Sequence, residues 1–218
     1  KERLQTCMGC ETILLFQALG RILAEDVSAL RSNPPKPNSA VDGYGLCYAE
    51  IVEGPQTVPL ADGRSAAGAP FDGALPEGHA VRILTGATVP EGVDTVILQE
   101  DVTTDGQAIA FHGPLKRGSN TRKAGEDVVK GGAILAQGRR ITPADLALAA
   151  ATDVSELPVF KRLRVAVVST GDELAEPGST ARPDQIFDAN RPMLLAMIAQ
   201  LGFEPIDMGR APDDREAL

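Results

Sequence analysis

Residues Leu163 to Ser169 read LRVAVVS, an unbroken apolar run of the kind expected for a parallel strand buried on both faces. The loop STGDEL, Ser169 to Leu174, leaves this strand. PMLLAMIAQLG, Pro192 to Gly202, then has helical periodicity, with Asn190 as the expected cap and Gly202 at the C′ position. FEPIDMG, Phe203 to Gly209, reads as a second strand, and DDREAL from Asp213 as the start of another helix. This order assigns residues 162–218 to a parallel α/β domain with right-handed crossovers. Two strands cannot shield both faces of a parallel sheet, so the expectation is an incomplete domain that lacks activity as given.

Upstream, Ile13, Leu14, Leu15, Ala18 and Leu19 recur with helical spacing and predict a helix from Glu11 to Arg21, followed by GRILAEDV as an extended segment. Pro34, Pro35 and Pro37 then make SNPPKPNSAVDGYG a constrained loop, because each proline fixes φ and removes an amide donor. From there to Gly131, runs rich in Val and Ile alternate with turn signals; AVRIL at Ala80 and DTVILQ at Asp94 are the clearest strands. Past Gly138, Thr142, Pro143 and Asp145 read as an N-cap, a first-turn proline and an acidic N3 that open a helix. The resulting fold class is a multidomain α/β chain. Residues 1–28 plus 132–161 form a helical and extended first domain, residues 29–131 an inserted β-rich domain, and residues 162–218 the start of the parallel α/β domain.

Composition narrows the function. A net charge of −9 argues against a broad DNA or RNA surface, and an aromatic content of 4% leaves no stacking platform for single strands. No run approaches the roughly 20 apolar residues of a membrane span, and the segment KERLQTCMGC lacks a signal-peptide core, which points to the cytoplasm. Cys7 and Cys10 form a CxxC without the further paired ligands a zinc site needs, so two reduced thiols are the simpler reading.

In parallel sheets, ligands bind at the carboxyl ends of strands. Thr170, Gly171, Asp172 and Glu173 leave the first strand, and Asp213 and Asp214 leave the second; neighbouring strands would turn these carboxylates to one crevice suited to Mg²⁺, though acidic residues are also common in such loops. In the β-rich domain, Asp42 lies between Val41 and Gly43, with Gly43 and Gly45 read as positions of close approach to a ligand. Thr85 and Gly86 end a predicted strand. Arg117, Arg122 and Lys123 form the dense basic cluster of an acidic chain, beside Asp127; it suits a phosphate or oxyanion, or is a solvated hairpin with offsetting charges.

GRILAEDV, NSAVDGY, VRILTGATVP, RKAGEDV, RVAVVSTGDEL and DANRPMLLAMIAQLG, in this order, resemble the MoeA proteins and the related E domain of gephyrin. The resemblance implies a homodimer whose third domain binds molybdopterin. It also implies molybdenum cofactor biosynthesis by a molybdopterin molybdenumtransferase: adenylated molybdopterin and molybdate react in the presence of Mg²⁺ or another divalent metal and release AMP. A molybdopterin adenylyltransferase is the implied supplier of substrate. By motif, the catalytic positions fall on Asp42, Thr85, Asp127, Glu173 and Asp213, the four carboxylates among them holding the metal. Arg117, Arg122, Lys123, Thr170, Gly171 and Asp172 are the implied substrate-binding positions. Val41 and Gly45 depart from the family's SAMDGYA, leaving Asp42 in place. The rival reading is a non-catalytic scaffold on the same fold, as in gephyrin's anchoring role.

Overall fold

The computed structural model describes residues 8–213, so Cys7, Asp214 and the expected final helix lie outside the described residues. The chain forms two compact units, one of residues 1–27, 135–150 and 154–218, the other of residues 28–134 and 151–153. In chain order the strands up to the second crossing between units are β1 (Cys10–Leu14), β2 (Val27–Ser28), β3 (Asn38–Ser39), β4 (Gly43–Leu46), β5 (Gly54–Ser65), β6 (Ala80–Ile83), β7 (Thr95–Leu98), β8 (Thr103–Thr104), β9 (Ala108–Gly113), β10 (Thr121–Arg122) and β11 (Ala133–Leu135). Helix α1 (Pro143–Ala151), β12 (Glu156–Phe160), β13 (Arg164–Thr170), β14 (Leu174–Ala175), β15 (Ile186–Phe187), helix α2 (Asn190–Gln200) and β16 (Glu204–Ala211) complete the described chain.

The second unit is built on a six-stranded mixed sheet, in the order β7-β4-β6-β5-β9-β8. Alternation places Tyr44, Leu46, Ala80, Ile97, Ile109 and Phe111 in one apolar cluster, while Val81 with Val93, and Ile83 with Val96, fill two others. Gly43 and Gly45 are inside β4 and serve this packing. A Cβ at Gly43 would lie 2.0 Å from the Ile97 carbonyl oxygen, and one at Gly45 would lie 2.8 Å from Val93 Cγ1. The absent side chains let β4 lie close against Ile97 of β7 and against Val93.

In the first unit, residues 10–17 are not a helix. Cys10–Leu14 is a strand, antiparallel to β12 from Cys10 opposite Phe160 to Leu14 opposite Glu156, and Leu15–Gln17 makes a single 3₁₀ turn. The apolar spacing fits a helix, but Thr12 and Ile13 are β-branched and β12 offers a ladder; tertiary pairing overrides the local pattern. Arg21 donates to Glu11 at 2.5 Å and to the Phe160 carbonyl at 2.8 Å, tying the following turn to the same ladder.

Helix α1 opens with the expected reciprocal cap. Thr142 N and Oγ1 donate to Asp145 Oδ2 at 2.9 and 2.8 Å, and Asp145 N donates back to Thr142 Oγ1 at 3.3 Å. β13 and β16 pair in parallel, with Arg164 opposite Glu204 and Thr170 opposite Ala211. β13 is not buried on both faces: Val167 is buried, but Val168 is half-exposed, because the described sheet has two strands and α2 packs against them. Asn190 is the first helical residue of α2 and not its cap. The cap position is Ala189, which offers no side-chain hydrogen bond; Asp188, one residue earlier, accepts the Arg191 amide through Oδ1 at 3.1 Å. Gly202, at φ +88°, closes the helix as expected.

Candidate functional site

Strand β3 organises the second unit's polar groups. On one side Ser39 N donates to the Ala87 carbonyl and Gly86 N to the Ser39 carbonyl, each at 2.9 Å; on the other, Arg122 is the register partner of Asn38. Asp42 leaves β3 with Oδ1 turned to Thr85, accepting the Thr85 amide and hydroxyl, both at 2.7 Å. These two bonds, amide first, hold the Asp42 carboxyl below the usual carboxylate range, and Arg82 adds to them. Asp42 is therefore an ionised acceptor with one oxygen occupied.

On the other side of β3, Arg122 pairs with Asp127, and its Nε donates to Glu126 at 3.0 Å. Asn33 Nδ2 reaches the second Asp127 oxygen at 3.3 Å. Glu126 also accepts the Lys123 amide at 3.0 Å, and this bond and then Arg122 lower its pKa. Arg117 is occupied by Asp94 at 3.2 Å. Of the three basic residues expected to hold an anion, Arg117 and Arg122 are thus already offset by carboxylates.

In the first unit, β13 ends at Thr170 and the loop after it carries Gly171, Asp172 and Glu173. A Cβ at Gly171, φ +138°, would stand 2.6 Å from Glu173 Oε2; the bare glycine is what lets the Glu173 carboxylate fold back over the loop. The Asp172 carbonyl accepts Gln185 Nε2 at 3.4 Å, and the Glu173 carbonyl accepts the Ile186 amide at 2.9 Å. Asp213 is exposed just past β16. Because Thr170 and Ala211 are register partners, the two loops leave adjacent carboxyl ends of the parallel pair.

One group escaped the sequence reading. Arg191, in the first turn of α2, bonds Asp188 through Nε at 3.1 Å and Asp207 of β16 through Nη1 at 2.9 Å, and also pairs with Glu176. Asp188, 5% exposed, accepts the Ser169 hydroxyl as well; that bond, ahead of Arg191, holds its carboxyl low. One guanidinium therefore ties Glu176, just after β14, and Asp188, just after β15, to Asp207 of β16. Asp188 and Arg191 stand at i and i+3, a spacing that would have revealed only this pair.

Among the described residues no three His, Cys, Asp or Glu side chains converge to hold a metal ion. Cys10 and Cys47 are free thiols. No helix among the described residues is long and apolar enough to cross a membrane.

Residues 2–152 match the MoeA N-terminal region (domain I and II), and residues 166–218 match a probable molybdopterin binding domain. The chain is 41% identical to a molybdopterin molybdenumtransferase of Haemophilus influenzae, covering 94% of this chain and 50% of the relative. It is 40% identical to molybdopterin molybdenumtransferase 2 of Mycobacterium tuberculosis, covering 93% and 51%. A crystal structure of a molybdopterin biosynthesis MoeA protein from Pyrococcus horikoshii superposes with a TM-score of 0.87 at 31% identity, covering 96% of this chain and 57% of that one. The chain spans about half the length of the curated relatives it matches. With its motifs, its β-rich unit and its parallel pair all accounted for, the chain belongs to the MoeA family.

Proposed function

We propose that this chain serves molybdenum cofactor biosynthesis as a molybdopterin molybdenumtransferase, converting adenylated molybdopterin and molybdate into the molybdenum-bearing dithiolene with release of AMP. The observation that carries this reading is the Asp42–Thr85 pair, in a chain whose relatives bear the transferase name. Thr85 fixes the Asp42 rotamer and keeps it charged, which leaves Oδ2 free to accept a proton-bearing group of the substrate or to face a cation. Asp127, anchored by Arg122 and Asn33, is a second carboxylate of fixed orientation. Glu173 and Asp213, on adjacent strand ends of the other unit, are the corresponding acidic groups there, with Thr170, Gly171 and Asp172 lining the same loop. Arg122 and Lys123, near Asp127, and Arg117 are the cations proposed to meet the substrate's anionic groups.

Mg²⁺ or another divalent ion belongs to the proposal as a partner of these carboxylates, completed by oxygens of the substrates. A homodimer, a cytoplasmic setting and a molybdopterin adenylyltransferase upstream belong to it too. The transferase name borne by the relatives favours this reading over a scaffold.

In the full-length protein, Asp42→Asn removes the charge and keeps the shape. The expected loss of AMP release is on the order of a hundredfold, as for removal of one preorganised polar group, with thermal stability unchanged. Wild-type release from a folded Asp42→Asn protein would refute the assignment.

A further inference from the structure

Arg82, half-buried on β6, reaches across the start of β4. Its Nη1 donates to the Gly43 carbonyl at 3.0 Å, and its Nη2 donates to Gln99 Oε1, just past the end of β7, at 2.6 Å. In the sheet β4 lies between β7 and β6, so one guanidinium spans three adjacent strands. Tyr44 is the register partner of Arg82, and the guanidinium lies over its ring at 5.0 Å, which supports the side chain in this extended reach.

The strap crosses the chain one residue after Asp42. Gln99, which accepts its far end, also donates its own amide to the Asp42 carbonyl at 3.1 Å. The bonds therefore close a ring, from Asp42 through Gly43, Arg82 and Gln99 and back to Asp42. Thr85 fixes the Asp42 side chain, and this ring fixes the main chain that carries it. The ladder alone already pairs Gly43 with Ile83 on one side and Leu98 on the other. What the strap adds is hold at the point where β4 meets Asp42.

We propose that Arg82 is a positioning residue for Asp42: by strapping the Gly43 carbonyl to Gln99 it fixes the main chain from which the carboxylate projects, so that Oδ1 meets Thr85 and Oδ2 stays presented. The proposal rests on the reading of Asp42 as a site carboxylate. It asks for arginine in particular, because two acceptors on different strands are met at once by a rigid planar fork, whereas lysine brings a point charge on a flexible stem. A misplacement of one reacting group by about 1 Å costs on the order of a hundredfold in rate, so a strap worth little to the sheet is worth much to the site.

The Thr85 amide, bonded to Asp42 Oδ1 at 2.7 Å, reports where the carboxylate stands without any turnover. Amide NMR spectra of the full-length protein are compared for the wild type, Arg82→Met, Arg82→Lys and, as the reference for a lost carboxylate, Asp42→Ala. Arg82→Met should move the Thr85 amide toward its Asp42→Ala position, and Arg82→Lys, which keeps one donor for the Gly43 carbonyl, should lie between. The Val58 and Ile109 amides of the β5–β9 ladder should stay in place. Should Arg82→Met fail to fold, Gln99→Ala cuts the strap at its other end and should move Thr85 in the same direction. In AMP release, Arg82→Met should lower kcat at least about tenfold with KM held within about twofold, and Arg82→Lys should recover part of the loss. A Thr85 amide that stays in place in folded Arg82→Met or Gln99→Ala protein, or a shift spread equally through β5 and β9, would overturn the proposal. A displaced Thr85 amide with wild-type AMP release would uphold the strap and remove Asp42 from the reaction.

Discussion

Asp145 offers the most quantitative test of how the fold is held. Its side chain is 5% exposed; Oδ1 accepts Arg139 at 3.0 Å, and Oδ2 accepts the amide and hydroxyl of Thr142 at 2.9 and 2.8 Å. Arg139, then the Thr142 bonds, lower its pKa from 3.8 to about 2. At about 1.4 kcal/mol per pKa unit, this corresponds to roughly 2 kcal/mol of stability at pH 7. Arg139 is half-exposed, so part of its contribution is screened, and about 1–2 kcal/mol is the expected cost of Asp145→Asn, in line with the loss of a helix cap. The folded pKa lies below the unfolded one, so the stabilisation is fully present above the unfolded value of 3.8 and is lost as pH falls through about 2. Urea unfolding read at the α1 amides, Leu146 among them, measures the gap between wild type and variant. The gap should be full at pH 7 and pH 5 and shrink visibly by pH 3. A gap that stays constant over this range would refute the assignment of the stabilisation to the ionised carboxylate.

Gly45→Ala should destabilise the second unit by about 1–3 kcal/mol through overpacking against Val93, read as a lower urea midpoint at the Val81 and Ile97 amides. Thr85→Ala removes a hydroxyl donor from Asp42, so the Asp42 carboxyl should titrate at higher pH in a carbon-detected NMR titration; an unmoved titration contradicts the pairing. Gly171→Ala collides with the Glu173 carboxylate and should shift the amides of Asp172 to Leu174 while leaving the β1–β12 ladder unchanged. Arg191→Met strips Asp188, Glu176 and Asp207 of their shared cation, and amide exchange at Arg191 and Gly209 should accelerate together.

Much of this was legible in the sequence because it is local. AVRIL and DTVILQ announce β6 and β7 through β-branched residues between turn signals, and Thr142-Pro143-Ala144-Asp145 encodes its own cap within four residues. The strand at Cys10–Leu14 was hidden because its partner, Glu156–Phe160, is remote in sequence and has Pro158 in its middle. Gly43 and Gly45 were readable as points of close approach, but whether a ligand or a strand approaches is decided by Ile97 and Val93, far along the chain. At the candidate site, Asp42 and Thr85 could each be picked out by motif. That one oxygen of Asp42 takes both Thr85 donors could not, since it depends on β3 lying beside the Thr85 loop. Arg191 was invisible for the same reason: two of its three carboxylates come from other elements.

The activity proposed for the full-length protein is insertion of molybdenum into adenylated molybdopterin. It is tested most directly by incubating the full-length protein with adenylated molybdopterin and molybdate and following AMP release and dithiolene-bound molybdenum in the same sample. The two are expected to rise together, and both to depend on molybdate. No AMP release, or release that proceeds equally well without molybdate, would contradict it.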